Sequence, residues 1–190
     1  MLNDLSTPMS FLATRRSGKP RDMVAPGPSE AEVRKMVALA TRVPDHGKIA
    51  PWRFVVVPLD ARERLAALMV DALAAEKPDA KAAEIEAARQ FAHQAPTLVV
   101  VLSSPKRDRP IPLWEQELSA GAASLALVQA ATAMGYVAGW LTGWAAFSPM
   151  VTRAFGNEGD RIAGFVFIGS PSRPLDERPR PDVDEVLSTW

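Results

Sequence analysis

The sequence of 190 residues contains no cysteine and only two histidines. Without cysteine the chain can form no disulfide scaffold, no thiolate nucleophile, no cysteine-bound zinc and no iron–sulfur cluster, and we expect it in a reducing cytoplasm. No histidine pair has metal-binding spacing, so we expect no metal site. The Gly-x-Ser-x-Gly elbow, the phosphate loop and the Gly-x-Gly-x-x-Gly fingerprint are also missing, which argues against serine hydrolases, nucleotide triphosphatases and simple Rossmann folds.

An excess of charge of one sign is missing as well, because 22 basic residues balance 22 acidic ones. We therefore expect neither nucleic acid nor an anionic membrane as a partner. The N-terminus has no basic segment before an apolar core, so it lacks the pattern of a signal peptide. Residues 118–152 carry no formal charge and are long enough to span a bilayer. Their alanines and glycines, and the lack of flanking basic clusters, favour a buried helix followed by a strand.

The composition is that of a globular chain, with 47% hydrophobic and 23% charged residues. A chain of this length buries roughly 70% of the surface of its unfolded form, so we predict one domain over residues 1–190. Residues 171–190 form a tail rich in proline, aspartate and arginine. Its apolar anchors are Val183, Val186, Leu187 and Trp190.

Hydrophobic periodicity predicts helices that alternate with short apolar strands. Ser29 and Glu32 have the spacing of a capping box, and Ser148 followed by Pro149 predicts a second helix start. The predicted strands are residues 52–58, 97–103, 136–142 and 161–169, and the predicted helices are residues 5–15, 29–43, 60–76, 79–93, 113–134 and 149–155. Because helical segments outnumber strands, the pattern favours an α+β or α/β sandwich with one mixed sheet.

An anion-binding site is suggested by the consecutive residues Arg15, Arg16 and Ser17. Two guanidinium groups and a hydroxyl at a helix end can donate several charge-assisted hydrogen bonds to a phosphate. The alternative is an ordinary basic triplet on the surface.

The loop between the second helix and the first strand contains Asp45, His46 and Lys48 between two prolines. Loops held between rigid elements often carry binding residues, so His46 is a candidate and Lys48 a secondary one. The alternative is a turn of solvated polar residues. His93 follows an alanine-rich helical segment, where a surface histidine is the simpler interpretation.

A segment with two tryptophans between glycines, residues 139–147, follows the longest apolar helix. Main-chain amides beside glycine can approach a flat heteroaromatic ring, and tryptophan can cover it. The competing interpretation is that both indole rings pack in the core.

Five segments in order resemble the flavin-dependent nitroreductase family, in particular its short NAD(P)H nitroreductase branch of YdjA-like proteins. They are ATRRS at 13–17, RVPDHGKIAPWRFVVV at 42–57, PLWEQELSAGAA at 112–123, AATAMGYVAGWLTG at 130–143, and SPMVTRAFG with IAGFVFIGSP within 148–171. The resemblance implies an α+β, three-layer sandwich with a mixed central sheet flanked by helices. It also implies a homodimer with FMN at the subunit interface, and a tail that packs on the partner subunit.

The resemblance further implies an oxidoreductase that passes electrons from NADH or NADPH through FMN to a nitroaromatic, quinone or similar acceptor by a ping-pong mechanism. No catalytic side chain is then required, because the flavin carries the chemistry. The residues that inherit FMN contacts are Arg15, Arg16, Ser17, Arg42, His46, Trp140, Leu141, Thr142 and Gly143. Those that correspond to the NAD(P)H segment are Ala130, Ala131, Thr132, Ala133, Met134 and Gly135.

Arg42 and His46 would contact the cofactor held by the partner subunit. Leu141 departs from the family pattern, which has arginine at this position, so only backbone or shape-dependent contacts carry over there. A flavin-binding or sequestering dimer without efficient turnover is the alternative function, and a ligand-free interaction dimer is a third.

Overall fold

A five-stranded sheet runs through the computed structural model, which describes all 190 residues. In chain order the elements are α1 (Pro8–Thr14), β1 (Met23–Val24), α2 (Glu30–Ala40), β2 (Trp52–Val57), α3 (Arg62–Glu76), α4 (Ala82–Phe91), β3 (Thr97–Ser103), α5 (Leu113–Ala133), β4 (Val137–Leu141), α6 (Pro149–Phe155), β5 (Arg161–Pro171) and α7 (Val183–Val186). The main predicted helices and strands are confirmed. The short β1 and α7 were not predicted, because two and four residues are too few for a periodic pattern.

The strands follow the order β1-β5-β3-β2, and β4 also pairs with β5. The α+β class is confirmed. Within this chain the sheet is antiparallel rather than mixed, since β2 runs against β3, and β1, β3 and β4 all run against β5. The strands β3 and β4 do run in the same direction and are connected through α5, but β5 lies between them and is antiparallel to both.

Helices cover both faces of the sheet, which gives the three-layer arrangement. On one face α2 and α5 pack through residues such as Met36 and Leu127 against Val99 and Val166. On the other face α3 and α4 pack against the alternate side chains of β3 and β5. The two faces differ because successive side chains of a strand point to opposite sides.

Local sequence explains where the helices begin. Ser29 and Glu32 form the predicted capping box, with both reciprocal hydrogen bonds present. Ser148 caps α6, where its hydroxyl accepts a hydrogen bond from the amide of Val151. The charge-free stretch 118–152 becomes most of α5, then β4 and α6, as predicted. None of the helices is both long enough and apolar enough to cross a bilayer.

The sheet has two ends, which we call upper and lower. At the upper end β3 and β4 finish and β2 and β5 begin, with Trp52 opposite Ser103 and Ser103 opposite Arg161. The loops 42–51, 104–112 and 142–148 therefore lie at the upper end. At the lower end β4 begins at Val137, opposite Gly169 of β5. These two ends hold the two halves of the candidate site.

Candidate functional site

The Arg15–Ser17 triplet lies beside β4 at the lower end of the sheet. Helix α1 ends at Thr14, and the chain then passes along β4, where the Gly18 amide donates to the carbonyl oxygen of Ala138 at 3.1 Å. A Cβ atom added to Gly139 would lie 2.6 Å from the Gly18 carbonyl oxygen. Because the two backbones approach so closely, only glycine fits there, and the triplet is held against the start of the strand.

Three guanidinium groups converge at this place. Arg15 is partly buried, and its pKa is lowered first by burial and then by the positive charges of Arg180 and Arg16. Arg180 comes from the C-terminal tail, far away in sequence. Clustered guanidinium groups of this kind can bind the oxygens of a phosphate or a carboxylate.

A carboxylate of the chain itself already lies between two of these cations. Glu177 Oε1 is 3.8 Å from Arg16 Nε and 3.5 Å from Arg180 Nη2. The pKa of Glu177 is lowered, mainly by a hydrogen bond from the Arg178 amide and further by Arg180 and Arg16. Arg16 Nε also donates to the backbone oxygen of Asp176 at 2.8 Å. An oxyanion therefore fits between these guanidinium groups.

The second half of the candidate site lies where β4 ends. The side chain of Leu141 packs against the core, whereas Thr142 and Gly143 are exposed. The backbone amides of Thr142 and Gly143 donate no hydrogen bond within the chain, and the space where a Gly143 side chain would stand is open. Two free donors thus lie in an exposed turn, where glycine allows a close approach of the polar edge of a ring system.

Trp140 is 39% exposed, and its ring lies across the backbone of Gly164. Its Nε1 donates to the carbonyl oxygen of Ala163 at 3.0 Å. The ring is therefore fixed on β5. Trp144 is 39% exposed as well, so neither indole ring is fully packed in the core, and whether Trp140 covers a ligand ring stays a prediction.

The two halves lie at different points along β4, which has five residues. The triplet is held at Ala138 through the Gly18 amide, and Thr142 follows four residues later, which is about 13 Å at 3.3 Å per residue. A small anion cannot contact both the guanidinium cluster and the Thr142 amide. A long ligand that carries a phosphate at one end and a polar ring at the other matches this spacing, so the residues present fit FMN.

Arg42 and His46 are not brought to this strand within one chain. They lie beyond the end of α2, both exposed, and Arg42 makes no side-chain hydrogen bond or ion pair within the chain. His46 Nδ1 is 2.7 Å from Glu115 Oε2. The loop leads into β2, three strands away from β4, which is about 14 Å at 4.8 Å per strand. Within one chain, Arg42 and His46 therefore lie away from the two halves of the site on β4.

The residues Ala130 to Gly135, which correspond to the NAD(P)H segment, form the end of α5 and the turn into β4. Ala130, Ala131 and Thr132 are buried, and the Thr132 hydroxyl donates to the Val128 carbonyl oxygen within the helix. Only Ala133 and Gly135 are exposed. A ligand approaching this segment would meet mainly main chain and the Ala133 methyl group.

Comparison with known proteins identifies the family of the chain. Residues 12–170 match the sequence model of the nitroreductase family. The chain belongs to the nitroreductase family. The resemblance drawn from the five segments is thereby confirmed, and the chain is an oxidoreductase.

One relative supports the same family assignment, and two solved structures share the fold. The chain is 35% identical over 164 residues to a protein of Escherichia coli K12 named "Putative NAD(P)H nitroreductase YdjA", with 86% of this chain and 87% of the relative covered. A nitroreductase-like protein from Bacillus cereus has the same fold, with a TM-score of 0.84, 19% identity, and 97% and 96% of the two chains covered. The NADPH:FMN oxidoreductase from Vibrio harveyi, solved with NAD⁺, gives a TM-score of 0.69, 14% identity, and coverage of 92% and 73%.

Sequence reasoning missed three residues around the candidate site. Arg180 and Glu177 lie in a tail with no periodic pattern, and only its many charges hinted at a role. Glu115 begins a helix and looked like an ordinary acidic residue near a helix N-terminus. The spacing of residues along the sequence predicts neither the path of the C-terminal tail nor the contact between His46 and Glu115.

Proposed function

We propose that this chain binds FMN and transfers electrons from NADH or NADPH to a nitroaromatic, quinone or similar small acceptor. The proposal rests on one arrangement: three guanidinium groups converge at one end of β4, and two free backbone amides lie at its other end. The guanidinium groups are those of Arg15, Arg16 and Arg180. The family match supports the redox class, and the names of the Escherichia coli and Vibrio harveyi proteins supply FMN and NAD(P)H as the expected partners.

The residues of the chain have distinct tasks in this proposal. Arg15, Arg16 and Arg180 hold the phosphate, with the Ser17 hydroxyl beside them as a further donor. The amides of Thr142 and Gly143 orient the polar edge of the ring, and Trp140 limits the access of water to that edge. Leu141 contributes backbone shape rather than charge. FMN, when bound, supplies the chemistry by carrying two electrons from NAD(P)H to the acceptor.

The proposed enzyme is a homodimer, because the chain leaves two apolar surfaces without a partner. On α5 the side chains of Trp114, Leu118 and Leu125 are 68%, 54% and 40% exposed, and their spacing places them on one face of the helix. A Cβ atom at Gly121 on the same helix would meet nothing within 4 Å. A two-fold contact through this face would bury it on both subunits and bring His46 towards the partner's β4.

The tail provides the second surface. Its apolar residues Val183, Val186, Leu187 and Trp190 are at least 62% exposed, so they contact little of their own chain. We propose that they pack on the partner subunit. The tail would then both hold Arg180 at the phosphate site and strengthen the dimer.

Removal of residues 172–190 is expected to weaken the dimer, which is checked by sedimentation velocity at falling protein concentration. Because the truncation also removes Arg180, the double variant Leu187→Ser with Trp190→Ser keeps the guanidinium and removes only apolar contact. We expect it to dissociate as well. A dimer of unchanged strength in both variants would contradict this role of the tail.

Replacement of Glu177 by glutamine is expected to tighten FMN binding about two- to fivefold, because the competing carboxylate leaves the site. The lowered pKa of Glu177 means that the wild-type carboxylate is ionised at pH 7. The difference in FMN affinity between the wild-type protein and Glu177→Gln is therefore largest at neutral pH. It vanishes at a pH below the lowered pKa of Glu177, because the carboxyl group is then neutral in the wild type as well. Fluorescence titration with FMN measures it. Glu185→Gln, in the same tail and without an ion pair, is the control; weaker binding by Glu177→Gln would contradict the competition.

The function is tested with purified protein and added FMN under nitrogen. We expect NADH or NADPH to bleach the absorbance of the bound flavin and a nitroaromatic compound to restore it. Double-reciprocal plots of the steady-state rate against the concentration of one substrate, at several concentrations of the other, should be parallel. A yellow protein that neither nucleotide bleaches would support the flavin-sequestering alternative. Intersecting plots would contradict the ping-pong order.

A further inference from the structure

The loop that carries His46 is held in an unusual backbone conformation. Gly47 has φ +74, and the non-glycine residues Lys48 and Ala50 have φ +53 and +47. Side-chain-bearing residues rarely adopt this left-handed region, and they remain there only where the surroundings fix them. Such strain is concentrated at binding and catalytic sites, so this loop is a candidate for a preorganised contact.

The surroundings do fix the loop. The carboxylate of Asp45 accepts hydrogen bonds from the amides of Ile49 and Ala50 at 3.1 and 2.9 Å. The Ser119 hydroxyl on α5 donates to the carbonyl oxygen of Pro44 at 2.7 Å. These bonds tie both sides of the turn, so the position of the His46 backbone is set by the body of the protein.

Two further contacts make this anchoring firmer. Trp52 Nε1 at the start of β2 donates to the same Ser119 hydroxyl at 3.1 Å. Ile111 from the neighbouring loop packs beside Gly47, with its Cδ1 3.4 Å from where a Cβ atom would stand. The turn is thus enclosed by α5, β2 and loop 104–112, while the imidazole of His46 remains 64% exposed.

Glu115 fixes the imidazole itself. It lies in the first turn of α5, and its Oε2 is 2.7 Å from Nδ1 of His46. An ionised carboxylate only accepts hydrogen bonds, so Nδ1 carries the hydrogen of this contact. The other ring nitrogen, Nε2, is then the atom left for a ligand.

We propose that Glu115 is a positioning residue that holds His46 with Nδ1 towards the carboxylate and presents Nε2 to the flavin bound by the partner subunit. The inference rests on the proposed function. An exposed ion pair contributes little to stability, so the main effect of Glu115 is on the orientation and tautomer of the ring. A hydrogen-bonded carboxylate behind a histidine has this effect in metal sites and hydrolases.

The test is a double-mutant cycle on the dissociation constant of FMN, measured with the full-length dimer. We expect Glu115→Ala to weaken FMN binding roughly tenfold, within the range seen for groups that orient a ligand through another residue. His46→Ala should weaken it at least as much. In the His46→Ala background the Glu115→Ala change should have no further effect, because its target is gone.

Two controls separate positioning from folding and from general charge. Glu117→Ala removes an exposed carboxylate from the same helix, where it pairs with Arg161 at 3.2 Å, and should leave FMN affinity unchanged. ¹⁵N NMR of His46 should show hydrogen on Nδ1 in the wild type and a shift towards Nε2 in Glu115→Ala. A merely structural role would not move this tautomer.

The outcomes distinguish the inference from its premise. Wild-type protein that binds no FMN contradicts the proposed function. Wild-type protein that binds FMN, together with unchanged affinity in Glu115→Ala or an equal loss in both backgrounds of the cycle, overturns the role of Glu115.

Discussion

Replacing Arg15 by alanine should weaken FMN binding by about 1.5 to 3 kcal/mol, the usual contribution of a charged hydrogen-bond partner. This corresponds to roughly a 10- to 150-fold rise in the dissociation constant. Arg15 is partly buried beside Arg16 and Arg180, so water cannot fully replace its guanidinium at the phosphate. Arg16→Ala should have a similar effect and also loosen the tail, since Arg16 donates to the Asp176 carbonyl oxygen.

The measurement is a fluorescence titration with FMN, accompanied by a titration with riboflavin, which lacks the phosphate. Loss of affinity in Arg15→Ala should be large for FMN and small for riboflavin. Arg89→Ala, an exposed arginine on α4, is the matched control. Equal losses for FMN and riboflavin would place Arg15 at the ring instead of the phosphate.

Replacing Arg62 by alanine should lower the free energy of unfolding by about 3 kcal/mol or more, because buried acceptors lose a charged donor. The side chain is 3% exposed. It donates to the carbonyl oxygens of Val57, Ala92 and Pro96 and has no carboxylate partner. Burial lowers its pKa to about 10, so it is still charged at pH 7 and joins the end of α4 to the end of β2.

Urea unfolding gives the result directly, with an expected fall in the midpoint of about 1 M or more at the usual urea slopes. The control is Arg64→Ala, two residues further along α3, exposed and without an ion pair, which should change stability by less than about 0.5 kcal/mol. An equally small change in the free energy of unfolding of Arg62→Ala would contradict the prediction. It would mean that water replaces the guanidinium as the hydrogen-bond donor to the three carbonyl oxygens.

Hydrophobic periodicity and capping patterns in the sequence predicted the main helices and strands well. Ser29 with Glu32 and Ser148 with Pro149 marked helix starts that the structure retains. The apolar run 97–103 is β3 at the predicted bounds. These features are local, so neighbouring residues suffice to predict them. The direction of strand pairing depends on how connections pack, which no single window contains.

The candidate site was predicted only in part, for the same reason. Motifs in order led to Arg15, His46 and Thr142 through the family resemblance. Arg180 reaches the site because the tail folds back across Arg16, and Glu115 meets His46 because two loops converge at the N-terminus of α5. Both are long-range contacts, and neither spacing nor residue type indicates them.

The central claim is that β4 and the guanidinium cluster at its start together bind one FMN per chain. Its most direct test is to incubate the purified protein with excess FMN, desalt it, and record the flavin absorbance per chain. The account predicts a yellow protein with close to one FMN per chain, and a colourless one when Arg15, Arg16 and Arg180 are all replaced by alanine. A wild-type protein that emerges colourless would contradict it.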